Sequence, residues 1–456
     1  MRSLWSLVFL GTTTIACTKL STGAGSGPPL HILIVAMDTV RWDRTSLAGH
    51  SRDTTPNLAA FAALPGSVTF TEAYTDASWS EPAYMSLFTG LESMTHGVGF
   101  RQPALRRGQA TLAGMLRANG YTTRAYASGP HLAPQTGMDH GFDAYEHTVT
   151  SRSLAVQVDP VLEWLTEDAE APRFAFVHGY DAHAPYPSPM LVAGAYADAP
   201  LDTDTRCAVA GWHCYPEAFP AASGPALPDS ELAALGLAYD AALTFADHQL
   251  GRLLYGLQAA GRLEDTLVIV LSDHGEMLGE DGGRGHAYGH DARVFQVPLV
   301  VRVPNDARAR EVNRTVALSD LLPTLAARIQ TTPPSGVQGQ VIGELLPGGD
   351  APAPQPHRAA SHCCYFVRDG SWTLSGVGPR EAGENWLLRR DGAPDDQSAA
   401  HPARLATMLA LLSDWPEAPG RVDLVTRQLG ARDPALKRAL QEGGYWKSEQ
   451  KEPASR

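Results

Sequence analysis

Two apolar runs rich in β-branched side chains lie far apart in the chain and end alike. His31–Met37 (HILIVAM) stops at Asp38, and Leu267–Ser272, inside the stretch TLVIVLSDHGE, stops at Asp273-His274-Gly275. Runs bounded by polar residues in this way predict strands buried on both faces of a parallel sheet. Elsewhere the periodicity switches repeatedly. Thr111–Asn119 has helical spacing with Gly120 as its stop, and Tyr121–Ala127 reads as a strand. Phe174–Val177 is a short apolar strand running into His178, Asp181 and His183, and Ser230–Ala260 carries a long helical pattern ending near Gly261. Val297–Val303 predicts another strand, and Ser319–Ile329 another helix. Strand and helix alternate throughout, so the fold class is α/β with a largely parallel sheet. Pro333–Pro356 is rich in Pro and Gly and marks a boundary. Beyond it, the strand-like pieces Tyr365–Val367 and Trp372–Leu374 and a helix near Ala403–Leu412 predict a smaller α+β subdomain packed on the first.

Composition narrows the partners. The 456 residues allow two or three domains, and 44% hydrophobic with 19% charged residues is the balance of a globular protein. A formal net charge of -13 without a basic stripe argues against a nucleic-acid partner. An anionic substrate would have to be bound by local cations, not by the global field.

The amino terminus changes the picture further. Met1-Arg2-Ser3 is a positive start, and Leu4–Ala16 is apolar but too short to span a bilayer as a helix. Together they suit a signal peptide. Its end, Thr14-Ile15-Ala16-Cys17, resembles a bacterial lipobox and predicts lipidation of Cys17; ordinary secretion with Cys17 removed is the alternative. Ser21–Pro29 (STGAGSGPP) then reads as a flexible tether. The predicted organisation is a signal peptide over 1–17, a tether over 18–29, a catalytic domain over 30–350 and a C-terminal subdomain over 351–456. That describes an exported lipoprotein of the cell envelope, touching the membrane only through its lipid anchor. Cys207 and Cys214 are a candidate disulfide in an oxidising setting. The adjacent Cys363 and Cys364 are not expected to pair with each other, and no CxxC spacing supports a zinc site.

In open α/β sheets, ligands sit beyond the carboxyl ends of strands. Two strands that each deliver an acid there, one with a histidine beside it, can build one metal site from remote segments. Carboxylate oxygen and imidazole nitrogen are suitable donors. Alone, Asp273 could equally cap the next element and His274 lie on the surface. The ordered motifs decide between these readings: VAMDTVRWD, SWSEPAYMSLFTGL with THGV, GPHLAP, HGFDAY, HGYDAHAPY, SDHGE, HAYGH before VPLVVRVP, and SDLLPTLA. In that order, from Ile32 to about Ala400, the chain resembles the sulfatase family within the alkaline-phosphatase superfamily.

The resemblance implies a large mixed, mostly parallel sheet sandwiched by helices, with a smaller C-terminal subdomain. It also implies an active site with one divalent cation, a nucleophile and cations around the anionic oxygens of the substrate. By this resemblance Asp38, Asp273 and His274 match metal-binding positions. Thr39 stands where many sulfatases have a second metal-binding Asp and is a candidate ligand through its hydroxyl; the D-T-x-R form Asp38-Thr39-Val40-Arg41 recurs in a sulfatase-like subgroup. Ser80 falls at the nucleophile position, spaced to Pro82 and Thr89-Gly90 as in the C/S-x-P-x-R…TG signature. His131 and His183 match histidines that contact the sulfate or the leaving group, and His286 stands where many members have Lys or His. Calcium is the cation the family implies first; magnesium, manganese and zinc also suit the donors.

The chemistry needs these residue types. A sulfate or phosphate ester repels a nucleophile, so a cation must neutralise it and activate the attacking oxygen. Histidines can protonate the leaving oxygen near neutral pH. A nucleophile at a helix N-terminus gains from the dipole, and Ser86–Leu91, after Pro82, fits such a helix. Two departures stand out. The Arg read by formylglycine-generating enzymes is replaced by Tyr84, and a common active-site Lys position is Gly129. Both remove cations from the anion pocket, and the first argues against formylglycine at Ser80. Three functions therefore remain open: an exported metal-dependent hydrolase of sulfate esters, a phosphoester hydrolase or phosphotransferase using unmodified Ser80, and an inactive binding protein on the same fold. For the first two the substrate is a small anionic ester.

Overall fold

The computed structural model describes residues 30–149, 153–184, 186, 228–287, 289–347, 349, 352–377, 386–393 and 395–415. The signal peptide, Cys17, the tether and the Cys207–Cys214 segment lie outside them. Fourteen strands are described in chain order: β1 His31–Met37, β2 Ser67–Tyr74, β3 Thr122–Ser128, β4 Ala144–Thr148, β5 Arg173–Gly179, β6 Thr266–Leu271, β7 Met277–Leu278, β8 Arg284–Gly285, β9 Leu299–Arg302, β10 Arg310–Ala317, β11 His357–Ala360, β12 Cys364–Asp369, β13 Trp372–Val377 and β14 Trp386–Arg390.

Eight of these form one sheet in the order β10-β2-β9-β6-β1-β5-β3-β4. β1 lies parallel between β5 and β6, and β9 runs antiparallel to both its neighbours, so the sheet is mixed but mostly parallel. The sequence explains why β1 is central. Every residue of it is apolar or buried, and alternate side chains serve two cores. Ile32, Ile34 and Ala36 face one core with the helices Ser80–Thr89, Leu112–Ala118 and Leu321–Arg328. Leu33, Val35 and Met37 face the other with Pro56–Ala62, Ala155–Thr166 and the long helix Asp229–Ala259. Each such buried aliphatic side chain contributes about 1.5–3 kcal/mol. A strand that is apolar on both faces can sit only where helices cover both faces.

The predicted strands and helices over these residues are present, with ends shifted by a few residues. One expectation changes. The helix placed at Ser86–Leu91 begins at Ser80 itself and carries Pro82 inside its first turn. That is tolerable because the first-turn N–H groups have no intrahelical partner to lose.

The C-terminal unit is the antiparallel sheet β11-β12-β13-β14 with the helix Pro402–Ala410. It docks on the main unit through an apolar cluster in which Ala77, Trp79, Met94 and Phe100 meet Tyr365, Leu374, Trp386 and Trp415. A second correction falls here. Cys363 and Cys364 are joined by a disulfide. They sit where the chain turns into β12, with Ser361 N donating to Cys364 O at 2.8 Å, so the strand alternation that would send adjacent side chains to opposite faces is interrupted. Among the described residues no helix is long and apolar enough to cross a membrane.

Candidate active site

The register of the parallel strands sets the site. Ala36 of β1 pairs with His178 of β5 on one side and with Leu271 of β6 on the other, so the three strands end at one level. Asp38, His178, Asp273 and His274 therefore emerge together, all fully buried. Asp38 Oδ2 lies 3.2 Å from His178 Nε2 and accepts a hydrogen bond from Ser80 Oγ, also at 3.2 Å. Ser80 Oγ is a further 3.2 Å from His274 Nε2. The hydroxyl at the first position of its helix is thus held between a carboxylate and an imidazole.

Asp38, Asp273 and His274 each present a ligand atom within 4.8 Å of the other two. Asp38 Oδ1 and Asp273 Oδ2 are buried and accept no hydrogen bond, while His274 Nε2 lies 3.3 Å from Asp273 Oδ2 and 4.0 Å from Asp38 Oδ1. Buried carboxylate oxygens without partners are costly, and a divalent cation is the partner that this oxygen and nitrogen set fits. Burial first, and then the neighbouring Asp273 charge, hold the Asp38 carboxyl well above its usual range, partly offset by His274 and by the Ser80 bond. Burial lowers the His178 imidazole to about 4, against the opposing pull of Asp273 and Asp181, so it is neutral.

The loops after β1 and β6 are laced together, which explains the Asp38-Thr39-Val40-Arg41 motif. Thr39 adopts a left-handed φ of 59°. Its N–H donates to Asp273 Oδ1 at 3.2 Å and its carbonyl accepts from Tyr239 Oη at 2.8 Å. Its hydroxyl donates to the Asp38 carbonyl at 2.8 Å, so the main chain, rather than the side chain, is what Thr39 turns toward Asp273. Val40 N donates to Ser272 Oγ at 2.8 Å. Arg41 is buried and chelates Asp43 through Nε and Nη2 at 2.9 and 2.7 Å, and its Nη1 reaches Glu280 at 2.7 Å and the Glu276 carbonyl at 3.2 Å. Its charge is thereby neutralised within the scaffold. Gly275 is required by space, since a Cβ there would lie 2.1 Å from the Arg293 carbonyl.

The other sequence-predicted residues divide into two groups. His286 lies tilted against His274 at 4.4 Å and meets His183 edge-on at 5.1 Å between ring centroids. His183 Nδ1 also bonds the Ala184 carbonyl. His131 lies on the other side, edge-on to Trp79 at 5.7 Å, next in sequence to Ser80. Asp181 faces away, accepting from Ser153 Oγ and Leu154 N.

Sequence reasoning missed several participants. His178 obeys the same strand-end rule as Asp38 and could have been taken with it. Glu276 stands two residues after His274, where its Oε1 lies 3.2 Å from His286 Nδ1 and its Oε2 accepts from Tyr186 Oη at 2.8 Å. His362 arrives from the C-terminal sheet, a juxtaposition with no signal in the sequence. Tyr84, in place of the motif Arg, is buried edge-on against His178 at 5.2 Å. Burial, then the Asp273 and Asp38 charges, hold its phenol well above the usual range, so it is a neutral neighbour of the ligands. Gly129, in place of the Lys, has φ +84 and would put a Cβ 2.7 Å from the Tyr180 ring. One further signal was legible: no lysine occurs between Lys19 and Lys437, so none is among the described residues.

Comparison with known proteins identifies the family and the fold. The chain is 26% identical over 386 residues to the ulvan-active sulfatase of Formosa agariphila, covering 75% of this chain and 70% of that one. It is 26% identical over 360 residues to human arylsulfatase A, covering 70% and 68%. The fold matches the crystal structure of the phosphonate monoester hydrolase of Agrobacterium radiobacter with a TM-score of 0.69 at 23% identity, over 84% of this chain and 95% of that one. The sulfatase family profile spans residues 31–330, from the first residue of β1 to just beyond the helix Leu321–Arg328. The chain belongs to the sulfatase family and is a hydrolase of ester bonds.

Proposed function

We propose that this chain is an exported, metal-dependent hydrolase that cleaves sulfate esters through a nucleophile at Ser80. The carrying observation is the position of Ser80 Oγ, 3.2 Å from both Asp38 Oδ2 and His274 Nε2 at the start of a helix. Asp38, Asp273 and His274 would hold the cation, with the Thr39 N–H orienting Asp273 rather than the Thr39 hydroxyl serving as a ligand. When bound, the cation supplies charge neutralisation of the ester and acidification of the attacking hydroxyl. Asp38 accepts hydrogen from Ser80 and aligns its oxygen. The helix N-terminus adds a positive field where charge develops. His131, His183 and His286 line the site as donors to the ester oxygens and the leaving oxygen, and Glu276 fixes the ring of His286. Export by the 1–17 signal peptide, lipidation at Cys17 and the division at about residue 350 belong to the same reading.

The charge balance supports monoanionic esters. Asp38, Asp273 and Glu276 would set three carboxylates against one divalent cation, the described residues hold no lysine, and Arg41 is already paired. A dianionic phosphate monoester would meet too little positive charge, whereas a sulfate monoester carries one negative charge. The same balance, with Tyr84 in the Arg position, also favours a second reading: hydrolysis of phosphate diesters or phosphonate monoesters by unmodified Ser80. A phosphonate monoester hydrolase is among the proteins of similar fold.

The test is the mass of the tryptic peptide containing Ser80, from protein made in its native host, alongside assays with aryl sulfate and aryl phosphate diesters. A peptide two hydrogens lighter than encoded, with sulfate ester turnover, supports the first reading. An unmodified peptide with diester turnover supports the second. Metal-loaded protein that turns over neither would refute the hydrolase mechanism.

A further inference from the structure

The turn between β11 and β12 belongs to the C-terminal sheet, yet it forms part of the active-site wall. Ala360 O accepts from Ser78 N at 3.2 Å, two residues before the nucleophile, and His362 N donates to the carbonyl of Ala287, next to His286, at 3.0 Å. The His362 ring is buried and lies 4.3 Å from the Trp79 indole. Trp79 cannot retreat from it. Gly99, at φ +79, underlies the indole so closely that a Cβ would stand 2.6 Å away, and Phe100 closes another edge at 6.1 Å. Burial, followed by the charges of His131 and His286, lowers the His362 imidazole to about 3. It is a neutral ring against Trp79, the indole that His131 also meets edge-on.

We propose that the Cys363–Cys364 disulfide is a positioning element of this active site, fixing the turn that holds His362 against Trp79 beside Ser80. Joining adjacent residues restricts the backbone of the one segment that connects the Ala287 contact to β12, removing conformers that the dithiol form would sample. The competing explanation is a staple for the C-terminal sheet alone. That role would change stability but leave substrate binding untouched.

The activity arm of the test rests on the hydrolase reading; a spectroscopic arm does not. Dithiothreitol converts the disulfide to two thiols by transferring two electrons and two protons, and is itself oxidised to its cyclic disulfide. Purified without reductant, the protein should yield a 363–364 peptide in the disulfide form, resistant to iodoacetamide. Complete reduction should raise KM for a 4-nitrophenyl ester by about tenfold, less than the ~10²-fold cost of misplacing an active-site group by about 1 Å. kcat should change less, and metal content should not change. The C363S/C364S double variant should resemble the reduced protein and be indifferent to dithiothreitol. In the long-wavelength tryptophan band, beyond the absorption of the disulfide itself, near-UV circular dichroism should shift more on reduction of the wild type than of Trp79→Phe. Alkylatable thiols at both positions before reduction would overturn the proposal. So would complete reduction, verified by mass, with the dichroism unchanged, or with KM unchanged where turnover is measurable. A protein without ester turnover would count against the hydrolase reading, and the dichroism would still decide the role of the disulfide.

Discussion

Glu81→Gln tests the environment beside the nucleophile. Glu81 follows Ser80 in the same helical turn, is 4% exposed, and its Oε1 has no hydrogen-bond partner. Burial pushes its carboxyl from 4.5 up to about 8. The folded protein thus binds this proton more tightly than the unfolded chain does. The stabilisation is complete below the unfolded pKa of about 4.5 and is lost as pH rises toward about 8. Each pH unit in that window costs about 1.4 kcal/mol, so by pH 7 the wild type has lost roughly 3 kcal/mol relative to pH 4.5. Gln is nearly isosteric and cannot ionise. Urea denaturation of metal-saturated wild type and variant should give a stability difference that grows in the variant's favour by about 1.4 kcal/mol per pH unit between about pH 5 and pH 8, then levels. Groups elsewhere titrate in both proteins and cancel. A difference that stays flat across this range would refute the argument, because it would mean the carboxyl is not held protonated. The functional corollary follows from its position: the protonated form puts no negative charge beside the oxygen that attacks an anionic ester.

Three further outcomes are expected. Ser80→Ala should abolish turnover while metal content, read by inductively coupled plasma mass spectrometry, stays at the wild-type level; residual activity would remove Ser80 from the mechanism. Asp273→Ala should lose both metal and rate, since it removes a carboxylate whose Oδ2 has no hydrogen bond and whose Oδ1 holds Thr39 and His274 N–H groups; unchanged metal content would place the site elsewhere. Arg41→Met should destabilise the protein by about 2 kcal/mol by taking the bidentate partner from half-exposed Asp43, while Glu280 keeps Arg293 at 3.5 Å, and should weaken metal binding by loosening both ligand loops. An unchanged denaturation midpoint would show that the two loops are held by other contacts.

The strands that build the site were legible because burial on both faces leaves a short, β-branched apolar run bounded by polar residues. HILIVAM and TLVIVL are readable as central strands without any partner in view, and their terminal acids follow from the rule for α/β sheets. β2 and β10 were not legible. β10 reads Arg310-Glu311-Val312-Asn313-Arg314, and alternating partial exposure gives it the look of a loop. The start of the nucleophile helix was missed because Pro82 suggested a boundary, although a first-turn proline breaks no bond. The disulfide was missed because adjacent cysteines were not expected to pair, and the turn into β12 is where they do. His362 could not have been found at all. Its place depends on how the C-terminal sheet docks, which is a matter of shape between two apolar surfaces rather than of any local pattern.

The central placement of β1 also bears on how the protein is made. Its Asp38 leaves the ribosome early, but Asp273 lies 234 residues beyond Thr39, the residue whose N–H it holds. The two meet only when β6 has been synthesised and has paired beside β1. Contacts of such sequence separation form late, because closing so long a loop must precede any gain from it. A nascent chain that ends before β6 carries Ser80 and Asp38 but neither Asp273 nor His274, so the candidate chelating set cannot assemble until β6 has been made. A cation held by Asp38, Asp273 and His274 would then act as a latch between strands from distant parts of the chain.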